Sequence, residues 1–317
     1  MISRLVLPLA AASFALAPLA CGDDFAPGSR VTDFRLLAVQ ADKPYAAPGE
    51  EVQLSTLSHE PFGRPITWAW TTCVKPRDTT VNACLAKIGE DATKPGGGAP
   101  IVTGIGNSTF RTTIPANILE GVEPRAIGNV LVGVLTVACP GPLSLKNLAT
   151  ATTGELPFRC LDANTKEELP YDRYVVSVKR VYVRRIERNQ NPSVGIVTWD
   201  GAPWAENDVK EVTPCTNSPN VTYADCSGGE SHDLAVQIPP ESVESGVNER
   251  GESFAEDMVA QYFATEGLFE FESRTRESPI TSWKARASAA GKEQTLWFVV
   301  RESRGGVSWT TRKVRVR

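Results

Sequence analysis

Six of the seven cysteines in this chain of 317 residues fall into three neighbouring couples, Cys73 with Cys84, Cys139 with Cys160, and Cys215 with Cys226. Each couple lies within one local stretch, so three short-range disulfides are the simplest framework, although six cysteines formally allow fifteen connectivities. In an oxidising compartment each closed loop stabilises the fold by on the order of 3 kcal/mol through restriction of the unfolded chain. Zinc would ask for a Cys-x₂₋₄-Cys spacing and usually for histidine. That spacing is absent, and the chain holds 2 histidines in all. The cysteines therefore predict an exported protein and leave Cys21 as the odd thiol to explain.

Residues 1–20 read as the export signal. Met1-Ile2-Ser3-Arg4 supplies one positive charge, and residues 5–20 are apolar apart from Ser13, Pro8 and Pro18. This run is shorter than the ~20 residues of a membrane-spanning helix and suits the apolar region of a secretory signal peptide. The stretch Pro18-Leu19-Ala20-Cys21 resembles the lipobox of bacterial lipoproteins, whose cysteine is acylated and becomes the mature N-terminus. It departs from that pattern at Pro18, where the family prefers an aliphatic residue. A plain cleaved signal followed by a free cysteine is the alternative.

The lipobox resemblance implies a Gram-negative envelope protein held to the membrane by diacylglyceryl and palmitate chains on Cys21. At about 0.8 kcal/mol per buried CH₂, two or three such chains attach a protein for good. Gly22, rather than Asp, follows the cysteine, which implies outer-membrane sorting and leaves open whether the protein faces the periplasm or the cell surface. Residues 21–30 then comprise the lipidated cysteine and a short flexible tether (GDDFAPGSR).

Composition narrows the function classes. The 33 basic and 37 acidic residues leave a formal net charge of −4, which argues against nucleic acid as a partner. An apolar content of 41% is that of a folded chain, and the length allows two domains.

From residue 31 onward the chain reads as strands punctuated by Gly and Pro. Residues 31–40 lead to a turn at Pro48-Gly49, and 51–58 alternate through Val52, Leu54 and Thr56. After Gly63-Arg64-Pro65, residues 66–72 place Ile66, Trp68 and Trp70 on one face. Such alternation predicts antiparallel strands with one buried face. Residues 130–139 (VLVGVLTVAC) are apolar on both faces, as a central strand would be. A second unit repeats the plan at 194–199, 233–238, 258–265, 268–271, 295–301 and 309–316, with Gly305-Gly306 as a tight hairpin. Residues 252–260 also have helix-forming composition, so a short helix stays open there.

Between the units, residues 174–186 (YVVSVKRVYVRRI) change phase, with Val176 and Val178 in one register and Val181 and Val183 in the other. A β-bulge does this. So does a strand that leaves one core and enters the next, and this second reading places a linker-free domain boundary at Lys179-Arg180.

The run from Val31 through Trp70, with its Ala47-Pro48-Gly49 turn and its Trp68-Ala69-Trp70 strand, resembles the Ig-like and PKD-like domains of bacterial surface lipoproteins. Leu296-Trp297-Phe298-Val299-Val300-Arg301 with Gly305-Gly306-Val307 resembles their final hairpin. The resemblance implies an all-β fold, two tandem Ig-like β-sandwich domains at 31–179 and 180–317 behind a lipoprotein signal peptide. The inter-sheet Cys-Trp-Cys arrangement of antibody domains is missing, so Cys73 with Cys84 and Cys215 with Cys226 would staple local loops.

Chemistry has few footholds. Ser231-His232-Asp233 sets a hydroxyl, an imidazole and a carboxylate side by side, but neighbours on a strand point to opposite faces, against a catalytic triad. His59 sits in a turn-like segment. Phosphate-loop, zinc-protease and nucleophile-elbow motifs are absent, so no catalytic residue, metal or cofactor is expected. Asp200, Glu206 and Asp208 near the domain junction are the nearest material for calcium, and read more simply as surface charge. Trp199 and Trp204 flank Asp200-Gly201-Ala202-Pro203 and offer either a stacking platform for a glycan or a structural cap. The 94–100 loop and the Cys139–Cys160 segment are candidate recognition loops.

The expected function is that of a non-catalytic cell-envelope lipoprotein, a structural, adhesive or assembly component acting through envelope protein partners. The alternative is a surface glycan-binding module using exposed Trp199 and Trp204.

Overall fold

The computed structural model describes residues 27–92, 94, 101–146, 156, 158–217 and 221–317. The signal peptide expected at 1–20, Cys21, the first half of the tether and most of the 94–100 loop lie outside the described residues.

The protein is all-β, with one α-helix among the described residues, and its four larger sheets stack in layers. The first sheet runs in the order Tyr45–Ala46, Val175–Val183, Leu131–Cys139, Thr67–Val74, Val102–Ile105. The second holds Arg35–Ala41, Glu51–His59 and Thr109–Thr113. The third runs Lys210–Val212, Val307–Val316, Glu293–Glu302, Met258–Ala264, Ser273–Thr275, and the fourth Ala202–Pro203, Ile196–Trp199, Ser231–Gln237, Ile280–Lys284, Leu268–Phe269. Neighbouring strands are antiparallel except where Tyr45–Ala46 and Lys210–Val212 lie parallel along a sheet edge.

Each sandwich closes over the alternation seen in the sequence. Between the first two sheets, Val52, Leu54, Trp68, Trp70, Val132, Val134, Val181 and Val183 form one core, with the Trp68 and Trp70 rings stacked 5.9 Å apart. Between the last two, Leu234, Val236, Tyr262, Trp283, Leu296, Phe298, Val314 and Val316 form the other. Residues 252–260 contain no helix; Ser253–Ala255 and Met258–Ala264 are strands, and Met258, Ala260, Tyr262 and Ala264 alternate into the core.

Two strands are apolar on both faces because both faces are covered, by different things. In Leu131–Cys139, Val132 and Val134 face the sandwich core while Leu135 packs under the helix Val81–Ala92 with Leu85, Ile88 and the Cys73–Cys84 disulfide. Gly133 makes room for that disulfide, since a Cβ there would lie 2.5 Å from Cys73 Sγ. In Glu293–Glu302, Leu296, Phe298 and Val300 face their own core, whereas Trp297 and Val299 pack on Leu37 and Ala38 of the second sheet. A bulge between Leu36 and Ala38 lets two successive residues serve that same face. The two sandwiches therefore meet sheet on sheet.

The phase change in 174–186 has a different origin from the expected one. Val175–Val183 pairs with Leu131–Cys139 in unbroken register from Val175 to Tyr182. It neither bulges nor changes core at Lys179-Arg180: Val176 and Val178 face the helix side, and Val181 and Val183 face the first core. The first core ends after Val183, and residues 184–195 join the sandwiches outside any strand.

The tether also differs from expectation. Residues 28–31 are clamped to the second sandwich: Val31 N–H donates to Ala264 O at 2.8 Å and Ala264 N–H to Ser29 O at 2.9 Å. The Ser29 hydroxyl donates to Glu272 Oε1 at 2.9 Å, and Arg30 pairs with Glu266. With Ser29 at 2% and Val31 at 1% exposure, this stretch is not free to flex.

All three disulfides close within their couples, with Cα–Cα separations of 5.3 Å for Cys73–Cys84, 5.6 Å for Cys139–Cys160 and 5.5 Å for Cys215–Cys226.

Candidate functional site

Charged and aromatic side chains concentrate where the last hairpin of the chain meets the first sandwich. The turn at 302–306 joins Glu293–Glu302 to Val307–Val316, and the buried Glu302 carboxylate organises it by accepting from the backbone N–H groups of Arg304 and Gly306 and from Asn189 Nδ2. Gly306 leaves room for this carboxylate: a Cβ would lie 2.5 Å from Glu302 Oε1 and 3.1 Å from Gln190 O.

The turn aims Arg304 across the boundary. Its guanidinium lies 4.1 Å from the Phe254 ring centre and 4.7 Å from that of Tyr45. Arg184 also lies 4.6 Å from the Tyr45 ring centre, and 5.4 Å from that of Tyr182. Phe254, Arg304, Tyr45, Arg184 and Tyr182 thus form an alternating cation–aromatic ladder from the second sandwich into the first. Each such contact contributes about 0.5–2 kcal/mol, more where water is excluded.

Carboxylates close around the ladder. Arg304 pairs with Glu187 at 2.7 Å, Glu244 at 3.0 Å and Glu256 at 3.1 Å. Burial pushes the Glu256 carboxyl above its ordinary range, and the Glu302 and Glu244 charges push it further. Beside these groups lies a cavity of about 150 Å³ lined by Tyr45, Gly128, Arg184, Arg250, Phe254 and Arg304, among others.

Hydrogen bonds extend the seam. Gln40 Nε2 donates to Val307 O at 2.6 Å, Arg301 Nη2 to Leu37 O at 2.7 Å, and Asn191 Nδ2 to Ala41 O at 2.7 Å while its Oδ1 accepts from Val307 N–H at 3.0 Å. His59 ends its strand with its ring 4.9 Å from Trp297 across the boundary, and burial lowers its pKa.

A second opening, about 330 Å³, lies between Val175–Val183 and the 302–306 turn. Lys179 shares the strand face of Val181 and Val183, but the narrower second sheet does not cover it, and the turn of the other sandwich does. Its ammonium donates to Gly305 O. Burial lowers the Lys179 pKa to about 8, with Arg301 and Arg180 pushing the same way and Glu302 opposing.

Trp199 and Trp204 are not exposed. At 8% and 2% exposure they are part of the second core, with rings 4.8 Å apart and edge-on, and Trp204 Nε1 donates to Asp208 O at 2.7 Å. Sugar stacking needs an open ring face, so these indoles offer no platform; they fill the end of the sandwich. The chain turns back between them in a tight hairpin, with Asp200 and Gly201 both at positive φ, 49° and 79°. Asp-Gly is the dipeptide that such a two-residue turn favours.

The other polar candidates are dispersed. His232 Nδ1 lies 2.9 Å from Asp200 Oδ2 with its ring 4.3 Å from Trp199, whereas Ser231 on the opposite strand face bonds Tyr223 at 2.9 Å. Glu206 accepts from Thr310 at 2.9 Å, and Asp208 pairs with Lys210 at 2.6 Å. Asp200, Glu206 and Asp208 are thus each engaged separately. Among the described residues no group of three or more His, Cys, Asp or Glu side chains is arranged to hold a metal ion.

Compared with known protein families and with curated proteins, the chain matches none.

Proposed function

We propose that this protein is a lipid-anchored component of a Gram-negative cell envelope, held in the outer membrane through acylated Cys21. In this reading it acts by protein–protein contact and not by turnover, as a structural, adhesive or assembly element built from two Ig-like or PKD-like domains. The observation that supports it best is the docking of residues 28–31. At about 3.4 Å per residue, Cys21 reaches no more than ~20 Å from Pro27, so an anchor at Cys21 holds the Ala264 end of the second sandwich close to the membrane. The clamp, the sheet-on-sheet seam and the ladder then fix how the whole stack stands on that surface. A contact protein benefits from such stiffness because its loops are presented without further ordering cost.

Expression of the parent and of Cys21→Ala in a Gram-negative host, with and without globomycin, tests this. The parent should partition with outer membranes and cross-link there to envelope proteins. Cys21→Ala should leave the membrane fraction and lose those cross-links, and globomycin should accumulate the uncleaved precursor. Membrane partition unchanged by the substitution would contradict the anchor.

A further inference from the structure

We propose that the cleft between Val175–Val183 and the 302–306 turn is an anion-binding site for a compact oxyanion, the carboxylate or phosphate group of a small molecule, with Lys179 as its main contact and Arg180 at its rim. The site is independent of the membrane anchor and draws its walls from both sandwiches.

The charge arrangement carries this. Lys179 has three N–H donors, and its one hydrogen bond among the described residues goes to the neutral Gly305 carbonyl. No carboxylate of the described residues forms an ion pair with it, and the nearby cations Arg301 and Arg180 add to its positive field. Glu302, the acid closest to hand, is occupied by the Gly306 and Arg304 N–H groups and by Asn189. Arg301 is likewise committed, to Gln261 Oε1 at 2.7 Å and to Leu37 O. Arg180 donates Nε–H to Thr79 O at 3.0 Å and is otherwise exposed.

An ammonium that is half-buried in a cleft and has no counter-ion is costly to keep, and charges drawn out of water are ordinarily paired. A position that retains one in a cleft, beside further cations, is missing an anion that arrives from outside. The opening, about 330 Å³, is at the small end of ligand sites. Gly305 and Gly306 line one wall without side chains, which lets a ligand come close to the backbone.

Titration of the purified full chain with sodium phosphate and with sodium acetate, against sodium chloride at equal ionic strength, tests the proposal by calorimetric melting and by the NMR resonances of the Lys179 side chain. Phosphate, acetate or both should shift Lys179 saturably and raise the melting temperature where chloride does not; the arm that responds identifies the oxyanion. Lys179→Met should abolish both effects while melting no lower than the parent in chloride. Lys179→Gln, which can still donate to Gly305 O, supplies a second variant that should also lose the response, and Arg180→Gln should weaken it about threefold or more. Absence of a saturable shift at up to about 20 mM of either anion, enough to fill a site of ~1 mM affinity, would overturn the proposal. A response undiminished in both Lys179 variants would overturn it equally.

Discussion

The guanidinium of Arg304 lies 4.7 Å from the centre of the Tyr45 ring, joining a turn near the end of the chain to an edge strand near its beginning. Arg304 reaches that ring from between Glu187, Glu244 and Glu256, so one side chain carries the cation of three ion pairs and two ring contacts. With Trp297 and Val299 packed on Leu37 and Ala38, it ties the sandwiches into one body.

Arg304→Ala strips the ladder of its central cation and leaves three carboxylates facing one another. Loss of one partner from a buried ion pair costs about 3–5 kcal/mol, and the damage falls on the seam, not on either core. Calorimetry of the parent should show one unfolding transition, and of the variant two. Arg304→Lys should recover less than half the loss, because an ammonium cannot stack between rings and fork to carboxylates as guanidinium does.

Lys179 gives the stability curve a slope at alkaline pH. Its folded pKa of about 8 lies below the ordinary value of 10.5. Between those values the unfolded chain holds the proton that the folded chain has released, so stability rises with pH across that window. The burial cost is present in full below it. Urea titrations at pH 7.5 and 10 in anion-poor buffer should show a gain on the order of 2 kcal/mol in the parent relative to Lys179→Met.

Gly133 and the Cys73–Cys84 disulfide should couple. Replacing both cysteines with alanine opens a loop with an 11-residue separation and should cost about 3 kcal/mol. Gly133→Ala alone forces a Cβ against Cys73 Sγ and should cost about 2 kcal/mol. In the disulfide-free background the same glycine change should be nearly neutral, which a double-mutant cycle of urea midpoints would measure.

Ser29 donates both its N–H and its hydroxyl to Glu272 Oε1, at 3.2 and 2.9 Å. Glu272→Ala should therefore loosen the clamp at residues 28–31 while leaving both cores intact. Hydrogen exchange at Ser29 and Val31 should quicken by about tenfold or more, consistent with ~1.5 kcal/mol lost from local protection, with Leu296 and Phe298 unchanged.

Much of the fold was legible because burial alternates where one face of a sheet is covered. Val52 and Leu54, Trp68 and Trp70, and Val314 and Val316 all point inward as their spacing predicts. The helix Val81–Ala92 was also readable and went unread: Val81, Cys84, Leu85 and Ile88 recur at helical spacing, and Thr80 caps it by accepting from Ala83 N–H at 3.1 Å. The phase change in Val175–Val183 misled because a strand can be covered on one face by a helix and on the other by a sheet, at different points along its length. Of the two readings open for Trp199 and Trp204, the structural cap holds and the glycan platform does not; two indoles beside a carboxylate look alike in sequence whether they line a surface or fill an end, and the Asp-Gly turn between them is the local sign of the second case. The Arg304 ladder had no local signature at all, since Tyr45, Arg184, Phe254 and Arg304 come together only through the stacking of the two sandwiches.

The most direct measurement is mass spectrometry of the N-terminal peptide from protein purified out of intact envelopes. An account built on a membrane-held stack predicts a mature chain beginning Cys21-Gly22, with the added mass of a diacylglyceryl group and a fatty acyl chain on the cysteine. A mature N-terminus elsewhere, or Cys21 recovered without acyl mass, would contradict it.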